Sequence, residues 1–175
     1  EESARSQLLA CPYGIARLVE LASSASGNLL DLCVRALSHA CNFPTSAAAD
    51  VLAHPSSQPL LLAKLTSAEG TPLHEVVGLV ANLAYAAAED PADVDASFFV
   101  PLVVPLVGVV SSRTSDERAQ ANAAAALCSL SSIMACRARI IEAGALLALS
   151  SAAEISPSAG VRTASQRALD AVTSL

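Results

Sequence analysis

Two series of similar phrases recur along this chain with one spacing. RALSHAC at 35–41, GLVANLA at 78–84, AALCSLS at 125–131 and RALDAVT at 167–173 set their fifth residues, His39, Asn82, Ser129 and Ala171, 43, 47 and 42 residues apart. Ahead of each stands a second phrase, ARLVELASS, LLLAKLTS, VVPLVGVVSS or ALLALSS, whose Leu21, Leu65, Val107 and Leu149 are separated by 44, 42 and 42. A chain rich in Ala and Leu yields chance matches, but not two series with a common step. Repeats of this length are units of two or three helices that cannot bury their apolar faces alone and must stack on one another. The expectation is an all-α solenoid of about four units over 1–43, 44–89, 97–135 and 136–175. An acidic, Pro-containing insertion at 88–96 accounts for the long step and reads as a solvated loop.

The stretch Asp116 to Ser151 shows how such a unit is written. Thr114 and Glu117 form a capping-box pattern, and Ala119, Ala123, Ala126, Leu127, Leu130 and Met134 then recur at steps of three and four. That spacing predicts a helix whose narrow face packs closely on a neighbour. A short first helix follows at Arg137 to Ala143, Gly144 breaks the chain, and another apolar helix begins; Ala47 to Ala53 is a second candidate for a short first helix. The core has to be built from small side chains, because 53% of the chain is apolar but only 3% is aromatic and Trp is absent. Taken alone, Phe98 to Val110, β-branched with Pro101 and Pro105, reads as an edge strand. Its place in the repeat register predicts a helix instead, with Pro101 in the first turn and a kink at Pro105.

Charge and cysteine usage narrow the function classes. Residues 1–100 hold eleven acidic and four basic groups, for −7, while 101–175 hold five and six, for +1. This balance argues against nucleic-acid binding, which rests on neutralising phosphates. Any weak attraction for basic partners falls on the acidic first half. Cys33 and Cys41 are eight residues apart, as are Cys128 and Cys136; on a helix that is about 12 Å, beyond disulfide reach. The expected compartment is therefore reducing, the cytoplasm. The longest apolar run, Phe98 to Val110, is too short to span a bilayer, so membrane insertion is not expected. A start at Glu1 without Met reads as an excised piece.

Catalytic signatures are missing: no phosphate-cradling Gly-rich loop, no GxSxG and no HExxH occurs, and His39, His54 and His74 have no nucleophile and carboxylate at a family spacing. No enzyme activity and no cofactor are expected. Cys33, His39 and Cys41 are soft ligands close in sequence, but on a helix His39 and Cys41 point about 200° apart. Asp90, Asp93 and Asp95 lack the Gly and the terminal Glu of a calcium loop. No metal site is expected.

What remains is a polar stripe. Asp31, Arg35 and His39 are spaced by four, and His74, Gly78 and Asn82 repeat the pattern one unit later; in the third unit the same face becomes Ala121, Ala125 and Ser129. Here a family enters, because ALCSLSS followed by RARIIEAGALLAL resembles the end of one armadillo repeat and the start of the next. The resemblance implies a right-handed superhelix lined by third helices. It further implies that an Asn near the end of the third helix holds the backbone of an extended peptide, with a Trp four residues earlier in importin-type members. The Asn position is His39, Asn82, Ser129 and Ala171, and the Trp position is Arg35, Gly78, Ala125 and Arg167; only Asn82 keeps the pattern. A classical basic import peptide is therefore not expected to bind selectively.

The expected function is a non-enzymatic protein-protein interaction module or scaffold. Its partner groove would run along Asp31, Arg35, His39, His74, Asn82, Ala125 and Ser129, polar in one half and apolar in the other. The resemblance also fits a nucleotide-exchange cofactor of a heat-shock chaperone, or a scaffold of a cytoskeletal or ciliary assembly. Three finer expectations accompany this reading. Asp31 and Arg35 should form an ion pair; removing Asn82 should change stability by less than about 0.5 kcal/mol; and both chain ends should expose apolar faces unless flanking repeats or self-association cover them.

Overall fold

A computed structural model describes residues 2–11, 13–42, 46–67, 73–89, 95–112 and 116–174, and among these every regular element is helical. The order is α1 (Glu2–Ala10), α2 (Gly14–Ser24), α3 (Gly27–Ala40), then α4 (Ser46–Ala53), α5 (Ser57–Thr66), α6 (Leu73–Glu89). A 3-10 turn (Ala96–Phe98), α7 (Val100–Ser111) and α8 (Glu117–Leu130) follow, and then α9 (Met134–Glu142), α10 (Ala145–Ile155) and α11 (Ala159–Thr173). Each group has a short first element and two longer helices. The third helices pack in succession, α3 on α6, α6 on α8 and α8 on α11, and the second helices do the same through α2, α5, α7 and α10. Both recurring phrases fall on these two columns. The protein is an all-α solenoid whose core lies between them.

The column of third helices is tight because α8 is built for close approach. Ala119, Ala123, Ala124, Ala126, Leu127 and Leu130 are all fully buried, against α6 on one side and α11 on the other. Met134 does not extend this face: α8 ends at Leu130, a turn intervenes, and Met134 opens α9 fully in solvent. The helix start also differs from the capping-box expectation. Asp116 is the N-cap, its Oδ1 accepting from the Arg118 amide at 2.8 Å; Thr114 lies outside the described residues.

The ambiguous segment is a helix that continues through Pro105. Pro105 removes one helical hydrogen bond and costs about 3 kcal/mol. Leu102, Val103, Leu106, Val107, Val109 and Val110 are buried on α7, and each such side chain contributes about 1.5–3 kcal/mol. Burial outweighs the proline penalty, and an exposed edge strand would have forfeited half of it. Short first helices stand at α4 and α9, where the pattern suggested them. The third group has the 3-10 turn instead, capped by Asp95, whose Oδ1 accepts from the Ser97 amide at 2.9 Å. Gly144 takes a left-handed conformation (φ 75°) ahead of α10 and makes the break its position predicted. Residues 90–94 of the acidic insertion lie outside the described residues.

The terminal groups both expose apolar side chains, as expected, although α11 itself is polar outward. On α11 the outward stripe is Thr163, Gln166, Asp170 and Thr173, all exposed and polar. Exposed apolar side chains include Leu29 and Leu32 on α3 and Leu147 and Ile155 on α10. Among the described residues, no helix is long and apolar enough to cross a membrane.

Candidate functional site

Because the third helices share one register, equivalent residues form rows across the stack. One row is His39, Asn82, Ser129, Ala171; a second is Arg35, Gly78, Ala125, Arg167; a third is Leu32, Glu75, Asn122, Ala164. Several of these residues reach back to the preceding third helix and staple it. The Asn82 amide nitrogen donates to the Ser38 carbonyl at 2.9 Å, and that of Asn122 donates to the His74 carbonyl at 3.4 Å. Glu75 Oε1 lies 3.2 Å from Arg35 Nε.

Arg35 therefore pairs across helices, not with Asp31 as its spacing of four suggested. The Glu75 side chain is largely withdrawn from water, so its attraction is screened less than that of a surface pair, which is worth a few tenths of a kcal/mol. Asp31 is half-buried, and its Oδ1 has no hydrogen-bond partner among the described residues. His74 extends the network: its Nδ1 is 2.7 Å from Asp116 Oδ2 and its Nε2 is 3.7 Å from Glu75 Oε1. One chain of polar contacts, Arg35, Glu75, His74 and Asp116, thus ties α3 and α6 to the start of α8. His39 is exposed in the last turn of α3.

Asn82 is not a detached surface residue, which corrects the stability expectation for its removal. The Ser38 carbonyl belongs to the last turn of α3, where no further helical amide is available. Asn82→Ala is expected to lower the unfolding free energy by about 1 kcal/mol, read from urea denaturation; a change below about 0.3 kcal/mol would mean the bond contributes nothing. The second amide proton and the Oδ1 of Asn82 remain for a ligand.

Between the arginines of the second row the surface is low. A Cβ on Gly78 would sit 3.2 Å from Asn122 Nδ2 and 3.7 Å from Ser38 Oγ, so the glycine lets Asn122 lie across α6. Ala125 is exposed beside it, and Arg167 is exposed on α11. Ser129 is half-buried, with its carbonyl accepting from Ser132 Oγ at 2.8 Å. Of the residues named from the stripe, the structure joins Arg35 and His74 through Glu75, while Asn82 serves the helix stack. Glu75, Asp116 and Asn122 were not anticipated. A signal existed for two of them: Glu75 and Asn122 each stand seven residues before the Asn-site row.

The Cys128 Sγ donates to the Arg167 carbonyl at 3.7 Å, and burial raises its pKa, partly opposed by the Arg167 charge. Burial pushes the Cys136 thiol up to about 11. Among the described residues no group of three or more His, Cys, Asp or Glu is placed to hold a metal ion. A separate open cavity of about 810 Å³ lies between α7, α8, α10 and α11, with Leu147 and Ile155 exposed at its rim.

No protein-family model and no curated protein matches the sequence. Solved structures do. An engineered protein superposes with a TM-score of 0.73 at 27% identity over 90% of this chain and 62% of its own. Another engineered protein gives 0.75 at 27% identity over 91% of this chain and 37% of its own. The chain thus spans less than two thirds of either. A designed armadillo repeat protein superposes loosely, with a TM-score of 0.43 at 19% identity over 91% of this chain and 82% of its own. Successive groups of a short element and two longer helices, stacked third helix on third helix, give this chain an armadillo-like helical repeat fold.

Proposed function

We propose that the chain is a non-enzymatic interaction module that holds an extended segment of a protein partner across its third helices. The observation that carries this reading is the row Arg35, Gly78, Ala125, Arg167, a low floor between two arginines, bordered by the polar contacts that run from Arg35 to Asp116. Neighbouring packed helices are about 8–10 Å apart, so the two arginines are separated by roughly 24–30 Å. An extended chain covers that distance in about eight residues. The matching segment has carboxylates near its ends and small or apolar residues between them. A ladder of asparagines for a basic peptide is not available, since only Asn82 keeps that position. Net charge of −6 supports a protein partner over nucleic acid. Cys33, Cys128 and Cys136 stand outside any disulfide, which supports a reducing compartment, the cytoplasm.

The test begins with a peptide selected from a random displayed library on the purified chain. Calorimetry then compares wild type with Ala125→Trp, which raises the floor at an exposed position, and with Arg167→Glu, which reverses one end. Each is expected to weaken binding by about tenfold or more, with helicity unchanged. Equal affinities in all three proteins would remove the site from the third helices.

A further inference from the structure

The third helix of the second group is longer than its equivalents. In the shared register the last residues of α3 and α8, Ala40 and Leu130, correspond to Leu83, yet α6 runs on to Glu89. The added length carries Tyr85 and Glu89, which follow Gly78 at spacings that keep one face of a helix. Tyr85 is 53% exposed, and its equivalents Asn42, Ser132 and Ser174 have no ring. Among the described residues no ring contact or hydrogen bond engages it. Glu89 is exposed in the last turn of α6, where the helix dipole already places negative charge. That turn holds no basic residue, and Glu89 has no ion-pair partner among the described residues. The ends of α3 and α11 are served by Asn82 and Arg137; among the described residues no side chain does the same for α6. A bare aromatic ring thus stands beside an uncompensated negative pole, inside the stack and on the face that carries Gly78.

We infer that this extension, resting on the groove proposed above, is a specificity subsite for a lysine or arginine side chain of the bound segment, with the cation over the Tyr85 ring and beside the Glu89 carboxylate. Seven residues set Tyr85 about 10 Å from Gly78 along the axis, and helical side chains lean toward the N-terminus, so the ring comes back toward the floor. A long basic side chain on the segment residue over Gly78 suits that gap. Its aliphatic stem crosses the low floor, and its charged head meets the ring face. An acidic side chain there would oppose Glu89 and the helix end with like charge, and an apolar one would leave both unneutralised. Tyr85 stands outside both rows that the armadillo resemblance assigns, whose members on α6 are Asn82 and Gly78.

Peptides selected from the displayed library on the purified chain test this. Their aligned sequences should share one Lys or Arg among the central residues. In calorimetry Tyr85→Ala, at an exposed position that leaves helicity intact, should weaken such a peptide about three- to tenfold. Tyr85→Phe keeps the ring and should bind as wild type does, while Glu89→Gln should weaken binding more at low salt than at high. Exchanging the peptide's basic residue for Met should cost wild type as much as Tyr85→Ala does, and should cost Tyr85→Ala nothing further. Ala125→Trp, measured beside them, reports on the floor itself. Affinity lost in Ala125→Trp but unchanged in Tyr85→Ala, or a loss in Tyr85→Ala that is the same for the basic and the Met peptide, would overturn the subsite and leave the groove standing. Affinity unchanged in both variants would remove the groove as well.

Discussion

Replacing Phe99 with alanine is expected to lower the unfolding free energy by about 3–5 kcal/mol. The reason lies in what the third group lacks. Where α4 and α9 stand in their own groups, this one has only the 3-10 turn of Ala96–Phe98. Phe98 and Phe99 fill the space, with ring centroids 5.0 Å apart and an edge-on angle of 67°. Phe99 is fully buried at the entrance of α7. Few aromatic side chains exist elsewhere to compensate, and the surrounding α7 side chains are β-branched and stiff, so a cavity left there relaxes poorly. Phe99→Leu keeps most of the volume and should cost about 1–1.5 kcal/mol. Denaturant unfolding followed by circular dichroism measures both; a loss below about 1 kcal/mol for alanine would mean that the turn is not packed as described.

Arg137→Met is the second large effect, an expected loss of about 2–3 kcal/mol. Arg137 is on α9, and its guanidinium caps the end of α11. Its Nη2 donates to the carbonyls of Ala171 at 2.8 Å and Val172 at 2.9 Å, its Nε to Val172 at 3.2 Å, and its Nη2 reaches the Ser174 carbonyl at 3.4 Å. The last carbonyls of a helix have no amides of their own, and they carry the negative end of the helix dipole. A half-buried arginine satisfies both requirements with one planar fork. Methionine preserves the stem's packing but leaves the carbonyls bare. Arg137→Lys restores the charge without the fork and should recover about half of the loss. If methionine and wild type unfold within about 0.5 kcal/mol of each other, the cap is not formed in solution.

Arg137 also shows where sequence reading stops. Its partners lie 34 to 37 residues away, and no local spacing points at them. Periodicity, by contrast, was legible because each repeat must bury the same positions: Leu21, Leu65, Val107 and Leu149 fell on second helices, and His39, Asn82, Ser129 and Ala171 on third helices. The register even assigned α7 correctly against its own β-branched composition. Local rules fared less well where a tertiary partner competed. The spacing of four between Asp31 and Arg35 lost to Glu75, whose carboxylate on the next helix is largely withdrawn from water and attracts with little screening. Thr114 was read as the helix cap by pattern, whereas Asp116 holds the Arg118 amide. Asn122, set among alanines, is a staple on the His74 carbonyl, a partner 48 residues away.

The third-helix surface as the binding face is tested most directly by amide hydrogen exchange of the chain alone and saturated with the selected peptide. Slower exchange is expected in the segments Leu73–Glu89 and Glu117–Leu130, which carry Gly78 and Ala125. Slowing confined to Val100–Ser111 and Ala145–Ile155, around the cavity rimmed by Leu147 and Ile155, would contradict it.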